Sequence, residues 1–192
     1  MDLREALKRH RDELIEIASD SPFIVFLCGP KLKSTKASSR LRKKLKARLE
    51  DENFEVVLGE DDGLDNPDIH KIGINAQDNE LAFIEKQCNA VVVVADSVGA
   101  FCELALFSWH FVHEGGVIDK EKTDCIVLLD NKYKSEKSYL NAGPVTSARA
   151  FGSVEFVDFQ SYDCESTISR LRAQRGIRTV DNRRGRPRRG IP

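Results

Sequence analysis

The chain lacks several things that would have decided its class at once. No apolar run approaches the roughly 20 residues needed to span a bilayer, and the opening MDLREALKRHRDELIEIASD carries charges throughout, unlike a secretory signal. Both features point to the cytoplasm and away from membranes. Cysteine is sparse and odd in number: Cys28, Cys88, Cys102, Cys125 and Cys164 form no C-x-x-C pair, and most sit in apolar segments. They read as reduced core residues, neither a disulfide set nor a zinc site. The loop CGPKLKSTK has no second glycine followed by Lys and Ser/Thr, so it is not a P-loop. His110 and His113 are neighbours of Glu114, but they do not have the H-E-x-x-H spacing that binds zinc. No metal is expected. No His-Ser or His-Cys pair is fixed by spacing, which leaves serine and cysteine hydrolases without support. There is no internal repeat.

What is present fits one well-buried domain. The 192 residues are 41% hydrophobic and 32% charged, with a formal net charge of −1. That near-neutral sum hides strong patterning. Lys31 to Arg48 holds nine basic residues and no acid, and Glu50 to Asp68 holds nine acids and no base. As neighbours these blocks cancel, so neither demands a polyanionic partner. The end, DNRRGRPRRGIP, has five arginines among Gly and Pro with almost nothing to bury. Residues 179–192 therefore read as a disordered basic tail, a candidate contact for nucleic acid or a regulatory protein.

Asp2 to Ala18 places Leu3, Ala6, Leu7, Leu14, Ile15 and Ile17 among charges, which predicts an amphipathic helix within an N-terminal segment 1–20. The segment 21–178 then alternates. Strands are predicted at Phe23 to Cys28, Phe54 to Leu58, Ala90 to Ala95, Asp124 to Leu129 and Val154 to Phe156. Helices are predicted through Leu41, Leu45 and Leu49, then at about Asp78 to Gln87, Gly99 to His113 and Tyr162 to Gln174. Several strands are apolar on both faces. This pattern predicts an α/β domain: a doubly wound, Rossmann-like parallel sheet of five strands in flavodoxin-like order, with an extra helix at its N-terminus.

In such sheets ligands sit beyond the carboxyl ends of the strands. That selects the loops Gly29 to Ser39, Gly59 to Ile74, Asp96 to Gly99 and Asp130 to Pro144. One stretch stands out, VVVVADSVGAFCELALF, where a lone acid, Glu103, lies in a nearly all-apolar helix. If Ser97 caps that helix, Glu103 lies about one and a half turns in and faces the strand ends. Gly99 lets a ligand approach the backbone. The plainer reading is a buried acid satisfied by an arginine or by backbone N–H groups.

The strand VVVVADS followed by G-x-x-x-E resembles the signature of nucleoside 2-deoxyribosyltransferase-like proteins. A closer similarity is to the deoxyribosyltransferase-like effector domain of bacterial retron antiphage systems. It is carried in order by FLCG, GEDDGL, SVGAFCELALFS and KYKSEKSYLNAGPV, from about Phe23 to Phe159. The core is also similar to TIR domains, which hydrolyse NAD with a helix-borne glutamate. The resemblance implies cleavage of an N-glycosidic bond, with Glu103 acting at the anomeric carbon and Asp96 assisting. Cys28, Gly29, Pro30, Asp61, Asp78, Ser97, Gly99 and Asn141 become candidates for substrate binding. The substrate would be NAD or a related nucleotide, with no separate cofactor, and neighbouring copies in a homo-oligomer would complete the pocket. A true deoxyribosyltransferase and a catalytically silent nucleotide-binding or assembly module stay open as alternatives.

Overall fold

The computed structural model describes residues 3–59, 75–113 and 123–183. Five strands, β1 (Ile24–Cys28), β2 (Glu55–Val57), β3 (Ala90–Ala95), β4 (Asp124–Asp130) and β5 (Ser153–Val157), form one sheet in the order β2-β1-β3-β4-β5. Every pairing is parallel. The predicted fold class is the observed one. The helices are α1 (Leu3–Ser19), α2 (Ala37–Asp51), α3 (Ala76–Gln87), α4 (Val98–Val112), α5 (Thr146–Arg149) and α6 (Glu165–Arg183).

The two-residue period of the strands sorts their side chains into two cores. Val25, Leu27, Val92, Val94, Ile126 and Leu128 pack with Leu41, Leu45 and Leu49 of α2 and with Ile168 and Leu171 of α6. Phe26, Cys28, Val91, Val93, Val127 and Leu129 pack with Leu81 and Ile84 of α3 and Leu104 and Phe107 of α4. Helices therefore cover both faces, and β3, in the middle of the sheet, has no exposed side chain. Burying each of its valines is worth about 1.5–3 kcal/mol, so the VVVV run is explained by packing alone.

Two readings need correction. Asp130 to Pro144 is expected as loop, but Asn141–Val145 forms a π-helical turn containing Pro144 and runs into α5. Proline has no N–H to donate, and the wider turn accommodates it. Helix α6 continues to Arg183, into the segment expected to be tail. Its last turns have partners: the buried Thr179 reaches Ser21 Oγ at 3.1 Å, and Arg175 donates to the carbonyls of Glu52 and Asn53. Residues 184–192 lie outside the described residues. Helix α1 packs against α6, with Ala18 buried and Ile15 left exposed. Among the described residues, no helix is long and apolar enough to cross a membrane, and no group of His, Cys, Asp and Glu could hold a metal ion. All five cysteines are free, and only Cys102 is exposed.

Candidate functional site

In the order β2-β1-β3-β4-β5 the chain reverses direction of winding between β1 and β3, and the crevice at their carboxyl ends is where such sheets bind ligands. The end of β1 is shaped by Gly29, whose φ of +149° a side chain rarely adopts. A Cβ there would lie 3.0 Å from the Val94 carbonyl and 3.1 Å from Val94 Cβ. Only glycine lets β1 turn this close to β3. Beneath the turn lies Arg42 of α2, almost wholly buried, with Nη2 donating to Leu27 O at 2.7 Å and Nη1 to Pro30 O at 3.1 Å. A guanidinium thus fixes the backbone on both sides of Cys28-Gly29.

At the end of β3, Ser97 caps α4, its Oγ accepting from Ala100 N–H at 3.2 Å. The cap sets the rotation of the helix. Glu103 follows on the second turn, half-buried at the edge of the face formed by Leu104 and Phe107. It shares a neighbourhood with a second acid that sequence reasoning missed, Glu80 of α3. The charges of both act on Cys28, which lies on the α3 and α4 side of the sheet. Glu80 Oε1 occupies the place a side chain on residue 59 would take, 2.9 Å from an ideal Cβ of Gly59. Burial pushes the Cys28 thiol well above its ordinary pKa, the charges of Glu103 and Glu80 push it further, and Arg42 opposes them. Cys28 stays a neutral thiol, a packing residue of the core.

Asp96 stands on the other side of the crevice. It accepts from Lys132 Nζ at 2.8 Å and from Tyr133 Oη at 3.3 Å. Burial raises its carboxyl pKa, but the Lys132 hydrogen bond, the Ser38 hydroxyl, the Lys132 charge and Tyr133 together outweigh burial and leave it below the ordinary value. The Tyr133 ring meets Phe101 edge-on at 5.5 Å, which ties the turn after β4 to α4. Asp96 is therefore an anion held in place.

The remaining candidates divide. Gly99 is exposed, and a Cβ there would meet nothing within 4 Å, so the backbone at the start of α4 is open to approach. Pro30 contributes its carbonyl to Arg42. Asp78 lies in the first turn of α3, its backbone N–H bound by the capping Asn75. Asn141 uses its amide nitrogen to clamp Tyr133 O at 2.7 Å and Glu136 O at 2.8 Å, which holds the turn that presents Lys132. Asp61 lies outside the described residues. His113 Nδ1 lies 2.8 Å from Trp109 O at the end of α4, remote from the strand ends.

Lys132, Tyr133, Glu80 and Arg42 were all missed in the sequence. Arg42 did carry a signal: positions 38, 41, 42, 45 and 49 share one helical stripe, and all are buried in α2. Glu80 carried none, because the acids of α3 are indistinguishable until the helix is docked. Across residues 38–183 the chain matches the family model described as STM3845 retron effector protein. Among curated proteins, none matches its sequence.

Proposed function

The chain belongs to the STM3845 retron effector family, a group acting in antiphage defence, and we propose that it exerts its effect as a nucleotide N-glycosidase, with NAD or a related nucleotide as substrate. One observation carries this reading. The charges of two carboxylates, Glu103 and Glu80, both act on Cys28 at the end of β1, beside the crevice at the strand ends where Lys132 holds Asp96 as an anion. This pairing suits bond cleavage at an anomeric carbon, which calls for a carboxylate at the carbon and a second group to move a proton.

In the proposed reaction, Glu103 attacks the anomeric carbon as its C–N bond breaks, and the bonding electron pair leaves with the base. A pyridinium base departs neutral and needs no proton; any other base takes one from Glu80. Water then attacks the same carbon, the ester to Glu103 breaks, and Glu80 accepts the proton that water gives up. Asp96 accepts hydrogen bonds from sugar hydroxyls, an alignment that Lys132 and Tyr133 maintain.

The test is chromatography of a panel of nucleotides and deoxynucleosides after incubation with the protein and with its Glu103→Gln variant. Water-dependent release of a free base by the native chain is expected, falling at least about 30-fold in the variant, or about 2 kcal/mol of transition-state stabilisation. Undiminished turnover in Glu103→Gln overturns the assignment. A swapped deoxynucleoside in place of a hydrolysed one would assign a transferase, and no product at all would favour a silent binding module.

A further inference from the structure

The turn after β4 presents Lys132 to Asp96, and the same turn carries an aromatic ring that the glycosidase reading does not use. Tyr139 is 84% exposed, more than any other large hydrophobic side chain among the described residues. Its ring has a backing. A Cβ built on Gly143 would lie 3.4 Å from Tyr139 Cζ and 3.6 Å from both Cε atoms, nearly equal distances that set Gly143 against the face of the ring and not its edge. With the ring so exposed, the opposite face is left to solvent. The support is firm. Asn141 Nδ2 donates to the carbonyls of Tyr133 and Glu136, Ala142 N–H to Ser138 O at 3.1 Å, and Thr146 Oγ1 to Asn141 O at 2.8 Å, while Pro144 and Val145 are buried.

Tyr139 forms one side of a hollow of about 510 Å³ whose other walls are Glu136, Lys137, Ser138, Asn141 and Ala142. That volume is ordinary for a small-ligand site. Asn141 Oδ1 and Ser138 Oγ, buried in the wall, have no hydrogen-bond partner among the described residues. An aromatic ring backed on one face and open on the other is a stacking platform, and a nucleobase of any identity offers the flat face that fits it. Its edge also carries hydrogen-bonding groups for the wall. Lys134 and Lys137, both exposed, outnumber Glu136 along the turn and favour an anionic ligand.

The sheet decides which base this would be. The hollow lies on the turn after β4, whereas Cys28, on which the charges of Glu103 and Glu80 act, ends β1, and β3 runs between them. Two strand spacings amount to about 10 Å. A leaving base is bonded directly to the carbon under attack, so a base stacked on Tyr139 is not the one released. Tyr133 joins the two regions, its carbonyl bound by Asn141 and its hydroxyl 3.3 Å from Asp96 Oδ1.

We infer that Tyr139 seats the second, unreacted base of a dinucleotide, so that the substrate is a dinucleotide and not a nucleoside or mononucleotide. The reacting half is taken from the glycosidase reading, but the platform itself is measurable without catalysis.

The experiment is calorimetric titration of the full-length Glu103→Gln chain with NAD, nicotinamide mononucleotide, AMP and an unpaired deoxyadenosine oligonucleotide. NAD should bind at least about fivefold tighter than nicotinamide mononucleotide, the smallest gain expected from one stacked base. Tyr139→Ala should weaken NAD and AMP by at least about that factor and leave nicotinamide mononucleotide unchanged, whereas Tyr139→Phe keeps the ring and should keep the affinity. Because the side chain is exposed, the Tm of both variants should not move. Affinities for NAD and AMP that survive Tyr139→Ala, binding of neither, or an equal loss for nicotinamide mononucleotide overturn the platform. Tyr139-dependent binding of the oligonucleotide alone would assign the ring to single-stranded nucleic acid and overturn the dinucleotide. Failure of the glycosidase reading looks different: native chain that releases no base from any substrate, with Tyr139-dependent AMP binding intact.

Discussion

Replacing Arg42 with methionine removes the guanidinium that anchors the end of β1, and the loss can be sized from its contacts. Nη2 lies 2.7 Å from Leu27 O and Nη1 lies 3.1 Å from Pro30 O, both in a buried setting. A hydrogen bond from a charged donor contributes about 1.5–3 kcal/mol, so the two together amount to roughly 3–6 kcal/mol. Methionine refills much of the volume and removes the cost of burying a charge, which returns part of that. A net loss of about 3 kcal/mol is expected. At about 2–4 °C per kcal/mol for a chain of this size, the Tm should fall by about 6–12 °C. Urea unfolding measures the change directly, through a lower midpoint at constant m. Arg40→Met, two positions away and exposed, is the control and should cost less than about 1 kcal/mol. A loss below about 1 kcal/mol in Arg42→Met at unchanged m would refute the claim that this arginine fixes the Cys28-Gly29 turn.

The Asp96 and Lys132 pair makes a pH prediction. Because the folded pKa of Asp96 is depressed, its contribution is complete above the ordinary carboxylate pKa of about 4 and is lost as pH falls through the lowered value. The Lys132 pKa is raised, chiefly by its hydrogen bond to Asp96, so its share is lost only as pH climbs through that raised value above 10.5. Lys132→Met should move the Asp96 titration upward, as read by carboxyl carbon NMR; an unmoved midpoint would mean the pair does not set it. Deleting residues 184–192 should leave the Tm unchanged while weakening association with nucleic acid and flattening its salt dependence; equal binding with and without the segment would exclude it as the contact. Val98, Cys102, Trp109 and Val112 lie on one exposed stripe of α4 at coiled-coil spacing. If a second copy packs there, Trp109→Glu should convert a dimer to a monomer in light scattering, and a chain monomeric at every concentration would end the idea of a shared pocket.

Each level of the molecule was legible to a different degree. The strand positions and the parallel sheet could be read because a strand buried on both faces must be apolar throughout, and VVVV leaves little choice. Ser97 was legible as a cap because a hydroxyl just ahead of an apolar helix has few other uses. Helix ends were less clear. The end of α6 was placed too early because its last turns are polar in composition, and what keeps them helical is distant: Ser21 beside Thr179, and the Glu52 and Asn53 carbonyls beside Arg175. The turn at Asn141–Val145 was hidden by a proline that usually ends a helix.

The sequence by itself determined the period-two cores, the alternation of strand and helix, and the presence of one carboxylate at Glu103 behind the third strand. Those are local properties, fixed by which side chains can be withdrawn from water along a given period. Only the tertiary structure decided that the charges of Glu80 and Glu103 both act on Cys28, and that Arg42 leaves the basic run to sit beneath Gly29. It also decided that Lys132 holds Asp96 as an anion. These partners lie on different elements, and electrostatic and hydrogen-bond energies depend on separations of a few ångströms that sheet order and helix docking set. Spacing along the chain carries no record of them.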